Sequence, residues 1–280
     1  LLRGNIGKPG AGLCPVRGHS NVQGDRTMGI NERPPAFFLD ALEKRFQFKV
    51  PRDNGHNVVE AIHAMLEGRS KVFIGLGGNF AQATPDSPRT FEALRNCDLT
   101  VQISTKLNRS HLTHGKEALI LPCFGRTDID MQADGPQAVT VEDSFSMVHA
   151  SNGQLKPLSR HMRSEPAILA GIANATLGKQ PVDWLWLVED YSRIRDLIAD
   201  TIPAFKDFNE KIKNPGGFYL GNSAGSRKWN TPSARANFKS NVLPSDLVHE
   251  SIRGTGIVPD LIMQSMRSHD QYNTTIYGLD

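Results

Sequence analysis

Hydrophobic and polar positions alternate with helical and then extended periods through the first half of the chain. Phe37, Phe38, Ala41, Leu42 and Phe46 recur three and four residues apart, which predicts a helix with one apolar face. Asn57 stands where it can cap a second helix burying Val58, Ile62, Met65 and Leu66, with Gly68 beyond its end. Residues 71–76 (KVFIGL) then read as a short strand running into Gly75-Leu76-Gly77-Gly78-Asn79. Ser87 before Pro88 predicts a third helix start, a capping hydroxyl followed by a ring whose missing N–H costs nothing in the first turn. That helix reaches about Arg95 and buries Phe91 and Leu94. Residues 99–104 (LTVQIS) and 118–121 (ALIL) give two further strands, the second stopped by Pro122.

Strand, helix, strand in this order calls for right-handed crossovers and a parallel sheet, so the fold class is α/β with a Rossmann-like, three-layer arrangement. Ligands of such sheets sit outside the carboxyl ends of the strands. The segments expected there are Gly77–Gln82 and Thr105–His114, and the second is built almost wholly of hydrogen-bonding residues. Two readings stand for them at this point, a nucleotide pocket and ordinary solvated loops.

The second half is less regular. Around Val139, Val141, Met147 and Val148, residues 123–165 alternate polar and β-branched positions, as strands and turns do. Residues 164–177 and 182–202 carry helical spacing, and Asn214-Pro215-Gly216-Gly217 and Trp229-Asn230-Thr231-Pro232-Ser233 are turns. Trp184 and Trp186 fall on different faces of one helix, with core packing the default for them. Repeats and low-complexity segments are absent.

Composition narrows the class. In 280 residues, 39 % are hydrophobic and 22 % charged, enough apolar material for a real core. The formal charge is +3 and the basic residues are scattered, which argues against a nucleic-acid partner. No apolar run approaches the roughly 20 residues of a membrane-spanning helix. Cys14, Cys97 and Cys123 form neither a disulfide framework nor a paired metal site and suggest a reducing, cytoplasmic setting. The chain opens at Leu1-Leu2 without an initiator Met and stops at Gly278-Leu279-Asp280, as an excerpt of a longer protein would.

Residues 4–29 are dense in Gly and polar residues, from Gly4-Asn5-Ile6-Gly7 through Arg17-Gly18-His19-Ser20-Asn21-Val22-Gln23-Gly24, and are expected to be loop throughout. Linkers are rich in Ser, Glu or Lys, whereas Arg17, His19, Asn21 and Gln23 are varied hydrogen-bonding side chains on a backbone that can approach a ligand closely. A ligand-wrapping loop is the reading that follows. Common cofactor motifs are missing: there is no Gly-x-Gly-x-x-Gly after a strand with an acidic partner downstream, and no phosphate loop ending in Gly-Lys-Ser/Thr. His111 and His114 lack a carboxylate or Cys at metal-binding spacing, so no metal ligand is assigned. Cys14, beside Pro15 and near Arg17, is either an activated thiol or an inert small hydrophobe.

The loop sequences carry a resemblance. Gly7-Lys8-Pro9-Gly10-Ala11-Gly12, Pro15-Val16-Arg17-Gly18 and Asn21-Val22-Gln23-Gly24 resemble molybdopterin oxidoreductases of the dimethyl-sulfoxide-reductase family. The likeness is to formate-dehydrogenase alpha subunits and their bacterial acid-resistance-type relatives. Gly77-Gly78-Asn79-Phe80-Ala81-Gln82, Ala118-Leu119-Ile120-Leu121-Pro122, Asn230-Thr231-Pro232-Ser233-Ala234-Arg235-Ala236-Asn237-Phe238 and Arg267-Ser268-His269-Asp270 follow in the family's order.

What the resemblance implies is part of a catalytic subunit that binds molybdenum through two molybdopterin guanine dinucleotides. It also implies a [4Fe-4S] cluster and a metal ligand contributed by residues outside this chain. Domain organisation follows: 1–18 the tail of a catalytic loop, 19–122 part of a composite dinucleotide-binding domain, 123–242 a mixed α+β segment, and 243–280 the start of a C-terminal β-barrel. Arg17 matches the arginine that orients the substrate carboxylate, a role suited to a planar, permanently charged donor, with His19 beside it as a second catalytic candidate. His19 stands where formate dehydrogenases carry Gln. Gly18, Asn21 and Gln23 adjoin as cofactor-lining positions, and Gly77, Asn79 and Gln82 match the stretch that touches guanosine. The family's acidic residue early in the next loop is missing, which leaves Ser104, Lys106 and Asn108 for that part. Arg267, His269 and Asn273 align with a late loop contacting pterin and phosphates. The implied partners are a small anionic substrate such as formate and an electron-transfer protein. Two alternatives from other classes are a transferase or hydrolase using a free nucleotide at the same strand ends, and a non-catalytic stress-related relative.

Overall fold

The computed structural model describes residues 2–12, 22–178 and 181–243, and further on 252, 254–257, 260, 261, 263, 271, 272, 275 and 276. It resolves into two units, one of Cys14–Gly221 and one of Leu1–Leu13 with Asn222–Asp280.

The larger unit is mixed α/β. Its centre is a parallel sheet of β1 (Val72–Leu76), β2 (Leu99–Ser104) and β3 (Glu117–Pro122), in that order. Val72 pairs with Leu99 and Leu99 with Glu117, and each register runs on to the strand ends. Because side chains alternate, Leu99, Val101 and Ile103 share one face, where Leu121 and Cys123 join them under Ile168 and Ile172 of α7 (Glu165–Leu177). Phe73 faces the other way, into a cluster with Ile62 and Met65 of α3 (Val58–Leu66) and with Ala93 and Leu94 of α5 (Ser87–Arg95). The sheet therefore carries helices on both faces.

Helix boundaries follow local chemistry. Asn57 closes a capping box, accepting from Val59 and Glu60 N–H at 3.0 Å while the Glu60 carboxylate takes the Asn57 N–H at 2.9 Å. The cap of α5 is Asp86 rather than Ser87: its carboxylate accepts the Arg89 N–H at 3.3 Å, and Ser87 is the first helical residue. The helix expected over 182–202 is broken in two, α8 (Trp184–Glu189) and α9 (Tyr191–Thr201). Asp190 is the reason, because its extended backbone and its carboxylate, accepting from Ser192 N–H at 2.8 Å, start a new helix. A further correction concerns the glycine-rich stretch: α1 (Val22–Thr27) is helical where loop was expected. No proline falls in those six residues, and Gly24 is buried in α1 where the helix packs on a strand of the second sheet. On α8, Trp186 is half exposed under the Arg193 guanidinium, 4.5 Å from the ring centre.

That second sheet is antiparallel: β6 (Val139–Glu142), β7 (Met147–Ser151) and β8 (Phe218–Tyr219), after a hairpin of β4 (Asp130–Gln132) and β5 (Gly135–Gln137). Phe205, Phe208 and Val148 form its core, with Phe218 edge-on to Phe208 at 5.5 Å between ring centres. The smaller unit holds an Arg227 Nε–H bond to the Ile6 carbonyl at 2.9 Å and a turn closed from Ala234 N–H to Thr231 O at 2.9 Å. The barrel expected from 243 falls largely outside the described residues, which there include paired strands Gln271–Tyr272 and Thr275–Ile276. Among the described residues, no helix is long and apolar enough to cross a membrane.

Apolar side chains remain open on the outer strands. Val72, Ile74 and Leu76 of β1 point to one face and are each about half exposed, as are Leu119 and Ile120 of β3. Residues 1–280 produced alone are expected to bind an apolar dye such as anilinonaphthalene sulfonate and to melt over a broad range; a sharp transition in calorimetry without dye binding would contradict this. Gly153 lies so close to the backbone at Thr127 and Asp128 that a Cβ there would sit 1.9 Å from the Asp128 carbonyl oxygen. Gly153→Ala is expected to cost about 1–3 kcal/mol, read as a lowered midpoint in chemical denaturation.

Candidate functional site

Parallel pairing sends the segments after β1, β2 and β3 out of the same edge of the sheet. Gly77 and Gly78 follow β1 with φ of +67° and +70°, left-handed backbone that non-glycine residues adopt at a cost, and a Cβ at either would meet nothing within 4 Å. They form a turn whose outer side is open. The Gly77 N–H bonds to the Ile103 carbonyl at 2.7 Å, carrying the β1–β2 pairing past the strand end. Asn79 then leads into α4 (Phe80–Ala83), and Gln82 lies exposed on that short helix.

After β2, Ser104 Oγ donates to the Lys106 carbonyl at 2.8 Å and tightens the turn, leaving the Lys106 side chain exposed. Asn108 begins α6 (Arg109–Leu112) and ties the two segments together. Its Oδ1 accepts the Ser110 N–H at 2.9 Å, and its Nδ2 donates to the Gly78 carbonyl at 2.7 Å. The Asn108 N–H also donates to His111 Nδ1 at 3.0 Å. Ser110, only 1 % exposed, accepts the Ala81 N–H at 3.0 Å and reaches Asn79 Oδ1 at 3.2 Å.

The third segment follows β3. Gly125 N–H donates to Asp128 Oδ2 at 2.7 Å, and a Cβ on Gly125 would lie 4.0 Å from Thr105 Cγ2, so this turn abuts the one after β2. Arg126 is exposed at its tip. Behind it lies a cavity of about 130 Å³ lined by Arg126, Asp128, Asp130, Ser164 and Glu165. Burial holds the Glu165 carboxyl above its ordinary range. Tyr191 from α9 closes this region, its hydroxyl donating to Asp130 and lying 2.7 Å from Ser164 Oγ. Burial is the larger cause, and the Asp130 carboxylate the second, of a Tyr191 phenol pushed well above its usual value.

The structure links Asn79 and Asn108 through Ser110 and the Gly78 carbonyl, with Gly77 bonded instead to the end of β2 and Gln82 and Lys106 on the two segments. Gln23 is elsewhere in the unit, on α1, where its carbonyl accepts the Thr27 hydroxyl at 3.0 Å. Arg17, Gly18, His19, Asn21, Arg267, His269 and Asn273 lie outside the described residues, as does Cys14. Sequence reasoning passed over Ser110, Arg109 and Arg126. The latter two put exposed cations beside Lys106 at the strand ends, a set suited to phosphate groups. Spacing signalled none of these roles, since each depends on which segments the sheet makes adjacent. Cys97 and Cys123 are buried, and burial pushes both thiols up, Cys123 to about 11, so neither supplies a thiolate near neutral pH. Among the described residues, no group of three His, Cys, Asp or Glu side chains could hold a metal ion.

No family model matches the chain. Over its whole length it is 51 % identical to "Protein YdeP" of Escherichia coli (strain K12), of which it spans 36 %. Over 283 residues, again with all of this chain covered, it is 53 % identical to "Uncharacterized oxidoreductase Rv2900c" of Mycobacterium tuberculosis (strain ATCC 25618 / H37Rv), of which it spans 35 %. A stretch of 122 residues, 39 % of this chain, is 29 % identical to 12 % of "Putative formate dehydrogenase YrhE" of Bacillus subtilis (strain 168). The chain is thus similar from end to end to curated relatives of which it spans about a third.

Proposed function

We propose that this chain is the cofactor-holding part of an oxidoreductase catalytic subunit that uses molybdenum bound by two molybdopterin guanine dinucleotides to oxidise formate to carbon dioxide. The observation that carries the reading is the bonded cluster at the ends of β1 and β2, with cations on the adjoining segments. The donor set suits such a group. Gly77 and Gly78 leave backbone open to a bulky ligand, Asn79 offers a neutral amide for a base, and Lys106, Arg109 and Arg126 offer charge for pyrophosphate. End-to-end similarity to a protein named as an oxidoreductase supports the reaction class, and the shorter stretch shared with a protein named as a formate dehydrogenase supports the substrate. When bound, the cofactor supplies the two-electron redox chemistry, and the protein supplies position and electrostatics.

In this reading Arg17 holds the anionic substrate with a two-pronged guanidinium, His19 lies beside it, and Gly18, Asn21, Gln23, Arg267, His269 and Asn273 complete the lining. The [4Fe-4S] cluster and the residue that ligates the metal belong to other parts of the full-length protein, which passes electrons to a partner protein. Full-length protein purified from its host is expected to contain molybdenum by mass spectrometry and to release a fluorescent pterin on oxidation. Absence of both would end the proposal, and turnover of a free nucleotide by pterin-free protein would favour a transferase or hydrolase instead. Arg17→Ala is expected to lower formate-dependent dye reduction by about 10- to 100-fold, the worth of a charged hydrogen bond, with pterin content unchanged. Equal formate kinetics in the two proteins would remove Arg17 from its role.

A further inference from the structure

One stretch of the larger unit carries positive charge that its own surroundings do not neutralise. From residue 144 to residue 164 the chain has no Asp or Glu, yet it holds Lys156, Arg160 and Arg163. All three are exposed, and among the described residues none takes part in an ion pair. The acids closest by are turned to other tasks. Asp143 lies 2.8 Å from His149 Nε2, Asp128 accepts the Gly125 N–H at 2.7 Å, and Glu165 sits in the first turn of α7. Leu158 stands between the cations, 95 % exposed, and Leu155 is exposed beside Lys156. Apolar residues ringed by charge are the pattern of a protein–protein contact, with an apolar centre and a polar rim.

This stretch is braced at both ends. The Leu155 N–H donates to the Thr127 carbonyl, and the Leu155 carbonyl accepts the Ile129 N–H, both at 2.8 Å. At the other end the Phe124 N–H donates to the Arg163 carbonyl at 3.0 Å. The Arg163 guanidinium donates to the Arg160 and Met162 carbonyls at 2.7 and 2.9 Å, bonds that fix its position and keep its charge. A surface fixed beforehand loses little conformational entropy when a partner settles on it. Both braces go to residues 124–129, the segment that leaves β3 at the edge of the candidate site, so a partner docked here stands beside that site. Other anionic partners fit less well. Residues 146–164 contain no Phe, Tyr or Trp to stack on a base or settle at a lipid interface. Three cations are also fewer than the roughly four to eight that hold a segment on an anionic membrane.

We propose that residues 155–163 are the docking surface for an acidic protein, one presenting carboxylates around an apolar spot, and that this protein is the electron acceptor of the enzyme. The acceptor's role rests on the oxidoreductase reading above; its charge rests on this stretch alone.

The probe is a small acidic ferredoxin, with basic cytochrome c as the control of opposite charge, and full-length protein is used throughout. Calorimetry is expected to show ferredoxin binding that weakens about tenfold from low to physiological ionic strength, and no binding of cytochrome c. Lys156→Glu combined with Arg160→Glu, both at exposed positions, should weaken ferredoxin about tenfold more, Leu158→Ser about threefold, and Lys156→Arg not at all. Lys156 should react readily with an acetylating reagent in the free protein, read by mass spectrometry, and be shielded once ferredoxin is bound. Shielding in the free protein overturns the proposal, because other parts of the full-length chain then cover the loop. Unchanged affinity after charge reversal, no ferredoxin binding by wild-type protein, or equal binding to anionic phospholipid vesicles overturns it as well. Formate-dependent reduction of a small dye is followed in parallel: it should persist in the charge-reversed variant while KM for ferredoxin rises. Ferredoxin binding without any formate-dependent reduction by wild-type protein strikes the acceptor role together with the formate reading and leaves the docking surface standing.

Discussion

Everything at the candidate site depends on the parallel, in-register pairing of β1, β2 and β3. An antiparallel strand would send its loop to the opposite edge, so only parallel pairing delivers three consecutive connections to one place. The Gly77 N–H bond to Ile103 extends this pairing beyond the strand, and the Asn108 bond to the Gly78 carbonyl begins where it stops. Backbone hydrogen bonds thus set the distance between the loops, and side-chain bonds set their orientation. Removing the first would leave the second without partners.

Burial is divided accordingly. The sheet's central strand is covered on both faces, by α5 and α3 on one and by α7 on the other, whereas the flanking strands keep Val72, Ile74, Leu76, Leu119 and Ile120 about half exposed. Stability is therefore concentrated along β2, the strand from which the Asn108–Ser110 segment departs. A second apolar region lies between α2 (Ala36–Phe46), α8 and α9, where Phe38, Leu42, Trp184 and Ile198 line a cleft of about 620 Å³. No residue of α2 is fully buried there, although its sequence carries an apolar face. Charged residues add little to either region: the Arg45–Asp200 pair linking α2 to α9 is solvent-exposed at 3.0 Å, the kind of contact worth under about 1 kcal/mol.

Much of this architecture was legible before any coordinates. The runs KVFIGL, LTVQIS and ALIL are the three strands, Asn57 is a cap, and the two polar segments do emerge side by side. Legibility failed where a local preference had two outlets. Asp86 and Ser87 are both capping residues and adjacent, and the carboxylate took the position. Asp190 looked like one polar residue inside a helical pattern, yet its bond to Ser192 N–H begins a new helix there. Gly24 argued for loop, but packing against β6 stabilised a helix that propensity alone disfavours.

The amino-acid sequence by itself determined the alternation of strands and helices, because hydrophobic period and capping chemistry act within a few residues of each other. It also determined that the chain's hydrogen-bonding residues collect in glycine-loosened loops. Which of those residues meet was decided only by the tertiary structure. Asn79 and Ser110 are 31 residues apart, and no spacing rule links them. They touch because two parallel strands end at the same height, which brings the buried Ser110 hydroxyl within 3.2 Å of the Asn79 amide oxygen.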